Sequence, residues 1–305
     1  MSDASSALEA ARAVVLAGGL AYAAVQDVRT REVSDRLWQL LGCAGALLGG
    51  VLVLGAGALP LALWAVVSSL ALEHLFPWDD ALGERHAGLV PFLEIAAYAV
   101  AIVAVAVAAF HYGFGPSAVP LGVVAALVTV LLARALFEFG VLYGGADAKA
   151  LIVIGLLVPI FASPLLYSPS LEAPLLSVLP FSLTLLTDAA VLSVTAPIVI
   201  ALRNVARGEF SFPRGFTGYT LPVEELPRRF VWVRDPALGE DTLADDAETS
   251  EEDIRRRTEI ARRLKERGVR RVWVSPQLPF LVLLTLGAFA ALLLGNLLLD
   301  AFLAL

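Results

Sequence analysis

The chain of 305 residues contains one cysteine, Cys43. A disulfide framework and a cysteine zinc cluster are therefore excluded. Its three histidines, His74, His86 and His111, never fall in an HExxH pattern, which excludes a zinc-metalloprotease helix as well. There is no glycine-rich cofactor loop, and neither a cofactor nor a metal ion is expected. Charge is scarce too: 17% of the residues are charged, where a soluble domain carries roughly 25%. In its place 58% of the residues are hydrophobic and the mean hydropathy is +0.79. So large an apolar excess has to face lipid. The composition describes an all-α polytopic membrane protein, with the lipid bilayer as its first partner.

A bilayer core takes about 20 mostly apolar residues as helix. Eight segments meet or approach that length: 7–26, 37–57, 59–76, 89–110, 119–139, 148–166, 181–202 and 278–304. About eight spans are expected, within a range of six to eight, because the third is short, the sixth contains Pro159 and the seventh carries Asp188. Pro169, Pro174 and Pro180 make the stretch 171–183 a loop or a re-entrant piece. The N-terminus lacks a basic region and a cleavage site, so the first span is read as permanent rather than as a removable signal. Arg29, Arg31, Arg36, Lys149, Arg203 and Arg207 mark one side of the membrane, and the loops 57–59, 111–118 and 167–180 hold no Lys or Arg. The positive side is the cytoplasm, which puts 27–36, 77–88, 140–148 and 203–277 inside and both termini outside.

One stretch differs in kind. Residues 203–275 hold 15 of the 22 Lys and Arg and 14 of the 29 Asp and Glu. Within it, 249–268 reads as a solvated helix. Ser250 and Asp253 form a capping-box-like start, Gly268 a stop, and Glu251–Arg255, Glu252–Arg256, Asp253–Arg257 and Glu259–Arg263 are acid-first i,i+4 pairs. Its apolar stripe is thin, consisting of Ile254, Ala261 and Leu264. FVWVRD (230–235) and RVWVSP (271–276) alternate as short strands do. The expected organisation is a membrane core over 1–202, a small cytoplasmic α+β module over 203–275 and a final span within 276–305. The charges of the module nearly cancel, and no nucleic-acid partner is suggested.

Ionisable groups at membrane depth are costly and mark function. Tyr143-Gly144-Gly145-Ala146-Asp147 sets a carboxylate where a glycine-rich backbone enters an apolar helix. Asp147 either caps that helix or does chemistry there, with the glycines admitting the backbone of an extended peptide. Asp27 either pairs with Arg31 at i,i+4 or acts beside Asp147, since the charge-derived topology puts both at the same depth on one side. Asp35 reads as a helix cap. Lys149 either modulates Asp147 or anchors its helix at the interface. Arg134 and Glu138 read as a structural i,i+4 pair, and Asp79, Asp80 and Glu84 as a solvated acidic loop. Two carboxylates brought together cannot both ionise cheaply, so one keeps its proton. Such a pair can activate water on one side and polarise a carbonyl on the other.

QDVRTREVSDRLW (26–38) and GGADAKAL (144–151) resemble the two signature regions of the archaeal preflagellin/prepilin peptidases, membrane aspartyl proteases of the GxGD type. The resemblance implies Asp27 and Asp147 as the catalytic pair, with Gly144, Gly145, Ala146 and Lys149 supporting the motif and Asp35 as a motif residue outside catalysis. Ala146 stands where the family has its second glycine. RRVWVSPQLPFLVLL (270–284) looks like the approach to the family's last span. The two extra spans and the 203–275 module depart from the family's minimal six-span form.

The implied function is an aspartyl endopeptidase that removes the short basic leader from archaellin or type IV pilin-like precursors, carrying class III-type leaders, at the cytoplasmic face of the cell membrane. The alternative from another class is a proton- or cation-coupled transporter using Asp27, Asp147 and Asp188. A scaffold that recruits partners through its cytoplasmic module is a third reading, supported by that module alone.

Overall fold

A computed structural model describes residues 3–76, 90–114, 120–142, 144–161, 164–166, 176–234 and 250–303. The acidic loop with Asp79, Asp80, Glu84 and His86 lies outside the described residues, as do Tyr143, Pro169 and Pro174. Two compact units are present: Met1–Val28 with Val33–Ala190 and Phe280–Leu305, and Arg29–Glu32 with Val191–Pro279.

The first unit is a helix bundle. It contains α1 (Asp3–Thr30), α2 (Asp35–Leu54), α3 (Ala58–Glu73), α4 (Val90–Tyr112), α5 (Leu121–Glu138), α6 (Gly145–Leu157) and α7 (Phe181–Ser193), then α10 (Phe280–Leu294) and α11 (Leu297–Leu303). Among the described residues five helices are long and apolar enough to cross a membrane, and a sixth if α10 and α11, bent by 51°, count as one broken span. The chain is therefore a membrane protein, and the candidate spans among the described residues number up to six, the lower end of the expected six to eight. The two that fall short are α3 with 16 residues and α6 with 13. Pro159 explains α6. The residue before a proline is pushed out of the α region, and Val158 sits at φ −137°, ψ 77°, so the helix stops ten residues into a run that hydropathy reads as continuous from 148 to 166.

α6 is the centre of the bundle. Every residue from Ala150 to Leu157 is buried, the mark of a helix that is apolar all round and enclosed by protein. Close approach is made possible by small residues. A Cβ on Gly45 of α2 would sit 2.8 Å from the Leu156 Cβ, and one on Gly155 of α6 would sit 2.8 Å from the Thr129 Cβ of α5. Trp64 of α3 lies across Gly49 and donates its indole N–H to the Ala46 carbonyl at 2.8 Å. α4 stands at the other extreme, with Phe92, Ile95, Val103 and Phe110 exposed; lipid is the medium that suits them.

The second unit contains α8 (Thr195–Ala206), β1 (Tyr219–Pro222), β2 (Val231–Val233), α9 (Ser250–Glu266) and β3 (Arg271–Pro276). The strands form one antiparallel sheet in the order β1-β3-β2, with Tyr219 opposite Val274 and Val231 opposite Pro276. The two strings expected as strands pair with each other. β1 was not expected, being four residues long and ending in proline. α9 begins and ends close to its expected bounds, and Gly268 takes φ +74° just beyond it. Its stripe differs from the expected one: Ala261 and Leu264 are buried, whereas Ile254 is exposed and Arg257 takes a buried place. The Arg257 guanidinium lies over the Phe230 ring and donates to the Arg229 carbonyl at 2.6 Å.

Candidate active site

Asp27 lies in the last turn of α1 and Asp147 in the first turn of α6. Both side chains are half-buried. Although 120 positions separate them in the chain, the charge of Asp27 acts directly on Asp147. A second tie between the same helices lies further on. Arg12 of α1, almost wholly buried, donates to the Leu156 carbonyl near the C-terminal end of α6 at 3.0 Å. That carbonyl is among those a helix end leaves without a partner, and a cation there also suits the helix dipole. The two ties mean that α1 and α6 run antiparallel. Fifteen residues of α1 span about 22 Å and nine of α6 about 14 Å, and the long arginine side chain makes up part of the difference.

The start of α6 departs from the expected local picture. Gly144, not Asp147, occupies the N-cap, and no side chain caps this end. Asp147 is the third helical residue, where its charge suits the N-terminal dipole. Gly145 and Ala146 are already helical, so Ala146 fits a position that the family motif gives to glycine at no conformational cost. Gly144 has a steric role: a Cβ there would stand 3.2 Å from Asp147 Oδ2. Its hydrogen keeps one side of the carboxylate open.

The flanking motif residues hold this arrangement. The Gln26 amide oxygen accepts from the Ser34 N–H at 3.4 Å, and its nitrogen donates to the Tyr22 hydroxyl at 3.2 Å, bracing the turn from α1 to α2. Arg31 takes φ 60° in that turn. It donates to the Gln277 carbonyl at 2.7 Å and stacks over Phe230. Lys149 pairs with Asp35 at 2.5 Å, so Asp35 ties the start of α2 to the start of α6 and does not cap its own helix.

Gly145, Ala148, Lys149 and Ile152 share one face of α6 by their spacing. They line a cavity of about 100 Å³ together with His74 and Arg134. Arg134 bonds Glu138 at 2.7 Å, as the i,i+4 spacing suggests, and also Glu94 at 3.1 Å. Glu73, His74 and Glu94 present possible ligand atoms within 4.8 Å of one another, a convergence not visible in the sequence. The Arg134 guanidinium already engages Glu94 there, and His74 Nε2 meets the Tyr98 hydroxyl at 2.5 Å. Asp188 lies elsewhere, fully buried, with Oδ1 accepting from the Leu297 N–H at 2.8 Å. It closes the break between α10 and α11, where Asn296 also bonds Thr187 at 2.9 Å.

Two comparisons with known proteins bear on this geometry. Residues 212–297 match the family model "Archaeal Peptidase A24 C-terminus Type II". Over 294 residues, 94% of this chain and 96% of the relative, the sequence is 24% identical to a preflagellin peptidase of Methanococcus maripaludis. These matches support the archaeal preflagellin peptidase family. The family match runs through the loop after α8, the whole sheet, α9 and all of α10, so most of the charged module expected to depart from the family lies inside its pattern. Arg12 is the site residue that sequence reasoning passed over. It stands alone in an apolar run, and its partner is 144 positions away; an isolated arginine within a span is the signal that was there to use.

Proposed function

We propose that the chain is a membrane aspartyl endopeptidase in which Asp27 and Asp147 activate water to remove the basic leader from archaellin- and type IV pilin-like precursors. The observation that carries this is the placement of Asp27 in the last turn of α1 and Asp147 in the first turn of α6, near enough for the one charge to bear on the other, beside the side that Gly144 leaves open. Two full charges about 4 Å apart cost about 4 kcal/mol at an effective dielectric near 20, and sharing one proton removes most of that. The ionised carboxyl takes a proton from water as its oxygen attacks the scissile carbonyl. The protonated carboxyl gives its proton to the carbonyl oxygen. As the diol collapses and the C–N bond breaks, one diol hydroxyl gives its proton to the ionised carboxyl while the leaving amine takes the proton of the other, which restores the singly protonated pair. The open side at Gly144 admits the extended substrate backbone. The name of the Methanococcus maripaludis relative supports the substrate class, and the arginines near the α1 end support a site on the cytoplasmic face.

The transporter reading is weaker. Both comparisons name peptidases, and Asp188 spends an oxygen on the break in a helix rather than facing the other two carboxylates. The test is co-expression with a leader-bearing precursor. A leader-length mobility shift is expected with the native chain and none with Asp27→Asn or Asp147→Asn at equal protein level. Cleavage surviving in either variant overturns the assignment.

A further inference from the structure

The charged unit contains a pocket that the proposed peptide chemistry does not use. It has a volume of about 290 Å³ and is lined by four arginines, Arg203, Arg207, Arg229 and Arg271, against one acid, Glu225. Two of the guanidiniums are held in place. The guanidinium carbon of Arg203 lies over the Tyr219 ring, 3.7 Å from its centre. Arg271 is gripped by Glu209 at 2.8 Å and by the Thr220 hydroxyl at 2.5 Å. The other two stand more openly. Arg207 is exposed at the C-cap of α8, and Arg229 is only 3.4 Å from Glu225 with most of its side chain in solvent.

The frame is rigid. Buried Asn204 donates to the carbonyls of Gly215 and Gly218 at 2.8 and 2.7 Å, fixing the end of α8 to the following loop. A Cβ on Gly218 would run into the Val274 carbonyl, so that loop is pressed against β3. Even with Glu209 counted beside Glu225, positive charge is in excess. The geometry asks for an anion with several oxygens, since guanidinium forks match phosphate better than a point charge does. Its position says which phosphate. Arg203 and Arg207 sit in and just after the last turn of the apolar run Phe181–Ala206, which is long enough to cross a membrane. Lipid headgroups lie at that level, and basic groups at the end of a span attract anionic ones.

We infer that this pocket binds the phosphate of an anionic phospholipid headgroup. The same chemistry could be met by free phosphate, and the experiment separates the two. Full-length protein in detergent is exposed to phosphatidylglycerol, phosphatidylcholine or inorganic phosphate. Bound species are counted by native mass spectrometry, with thermal unfolding as a second readout. Phosphatidylglycerol is expected to stay bound and to raise the unfolding temperature, and phosphatidylcholine to do neither. Arg207→Gln and Arg229→Gln should each weaken that binding roughly fivefold, while Arg207→Lys retains most of it. Arg234→Gln removes the same charge outside the pocket and should leave binding unchanged. Inorganic phosphate binding as tightly as the lipid would overturn the lipid assignment. Native affinity in the Arg207→Gln and Arg229→Gln double variant, or an equal loss in Arg234→Gln, would overturn the pocket itself. Neither readout involves cleavage, so failure here leaves the Asp27–Asp147 proposal intact.

Discussion

α6 and α9 are both short helices, of 13 and 17 residues, and they stay folded for opposite reasons. α6 carries no ionisable group beyond Asp147 and Lys149 in its first turns and is enclosed from Ala150 to Leu157 by α2, α3 and α5. A helix of that length is marginal alone; its neighbours supply its stability. α9 is charged along most of its length and buries little beyond Ala261, Leu264 and Arg257. It supports itself with pairs such as Arg262–Glu259 at 2.7 Å and Arg263–Glu259 at 3.0 Å. One substitution chemistry should therefore act very differently on the two. Removing a charge from α9 touches an exposed pair of small worth. Adding a methyl group at Gly45 or Gly155 meets the backbone of α6 or the branched Thr129 side chain at under 3.2 Å.

The largest effect expected on either helix is chemical. Asp27→Asn and Asp147→Asn should each lower leader cleavage by about 100-fold or more with folding intact. The double variant should be no slower than either single one, because residues that act as a unit do not lose activity additively. Independent, multiplying losses in a precursor-conversion assay would show that the two carboxylates do not work together.

Packing comes next. Gly45→Ala and Gly155→Ala should each destabilise the bundle by about 1–3 kcal/mol, read as thermal unfolding in detergent. Gly18→Ala in α1, with nothing within 4 Å of its new Cβ, should be neutral or stabilising by up to about 1 kcal/mol. If all three behave alike, enclosure of α6 is not what distinguishes these sites. Arg12→Met removes the donor to the Leu156 carbonyl and should cost about 1–3 kcal/mol. Cleavage should fall with it, because the same contact sets α1 against α6. Asp35→Asn, which only weakens the pair with Lys149, should reduce cleavage a few-fold at most.

The smallest effect belongs to α9. Hydrogen bonds from Arg262 and Arg263 hold the Glu259 carboxyl down at about 2. A depressed carboxyl contributes stability above its unfolded value, near 4.3, and loses it as pH falls through the folded one. The Glu259 contribution to α9 should therefore persist at pH 4 and fade towards pH 2. Carbon-detected NMR of the labelled carboxyl should place its midpoint there, and Arg262→Gln should move it upward.

Much of this contrast is legible in the sequence. The acid-first pairs and Gly268 delimit α9 to within a few residues, since capping and i,i+4 attraction are local. Pro159 announces the end of α6, yet the run to 166 still reads as a full span because hydropathy registers apolar character and not whether lipid or protein meets it. For the same reason the described residues reach only the lower end of the expected six to eight spans. β1 escaped notice because four residues ending in proline carry almost no periodicity. The sequence allows Lys149 two roles because its partner, Asp35, lies 114 positions away.

Composition and local pattern suffice to make this chain a helical membrane protein with a charged α+β insertion, and two short motifs suffice to single out Asp27 and Asp147. Those are consequences of solvent preference and near-neighbour backbone chemistry, both written along the chain. The electrostatic effect of Asp27 on Asp147, the buried clasp of Arg12 on the Leu156 carbonyl, the use of Asp188 to seal a helix break and the gathering of four arginines into one pocket belong to the folded state alone. Each depends on which helices pack together and at what register, and that is decided by the sum of many weak contacts between distant segments rather than by any one stretch of residues.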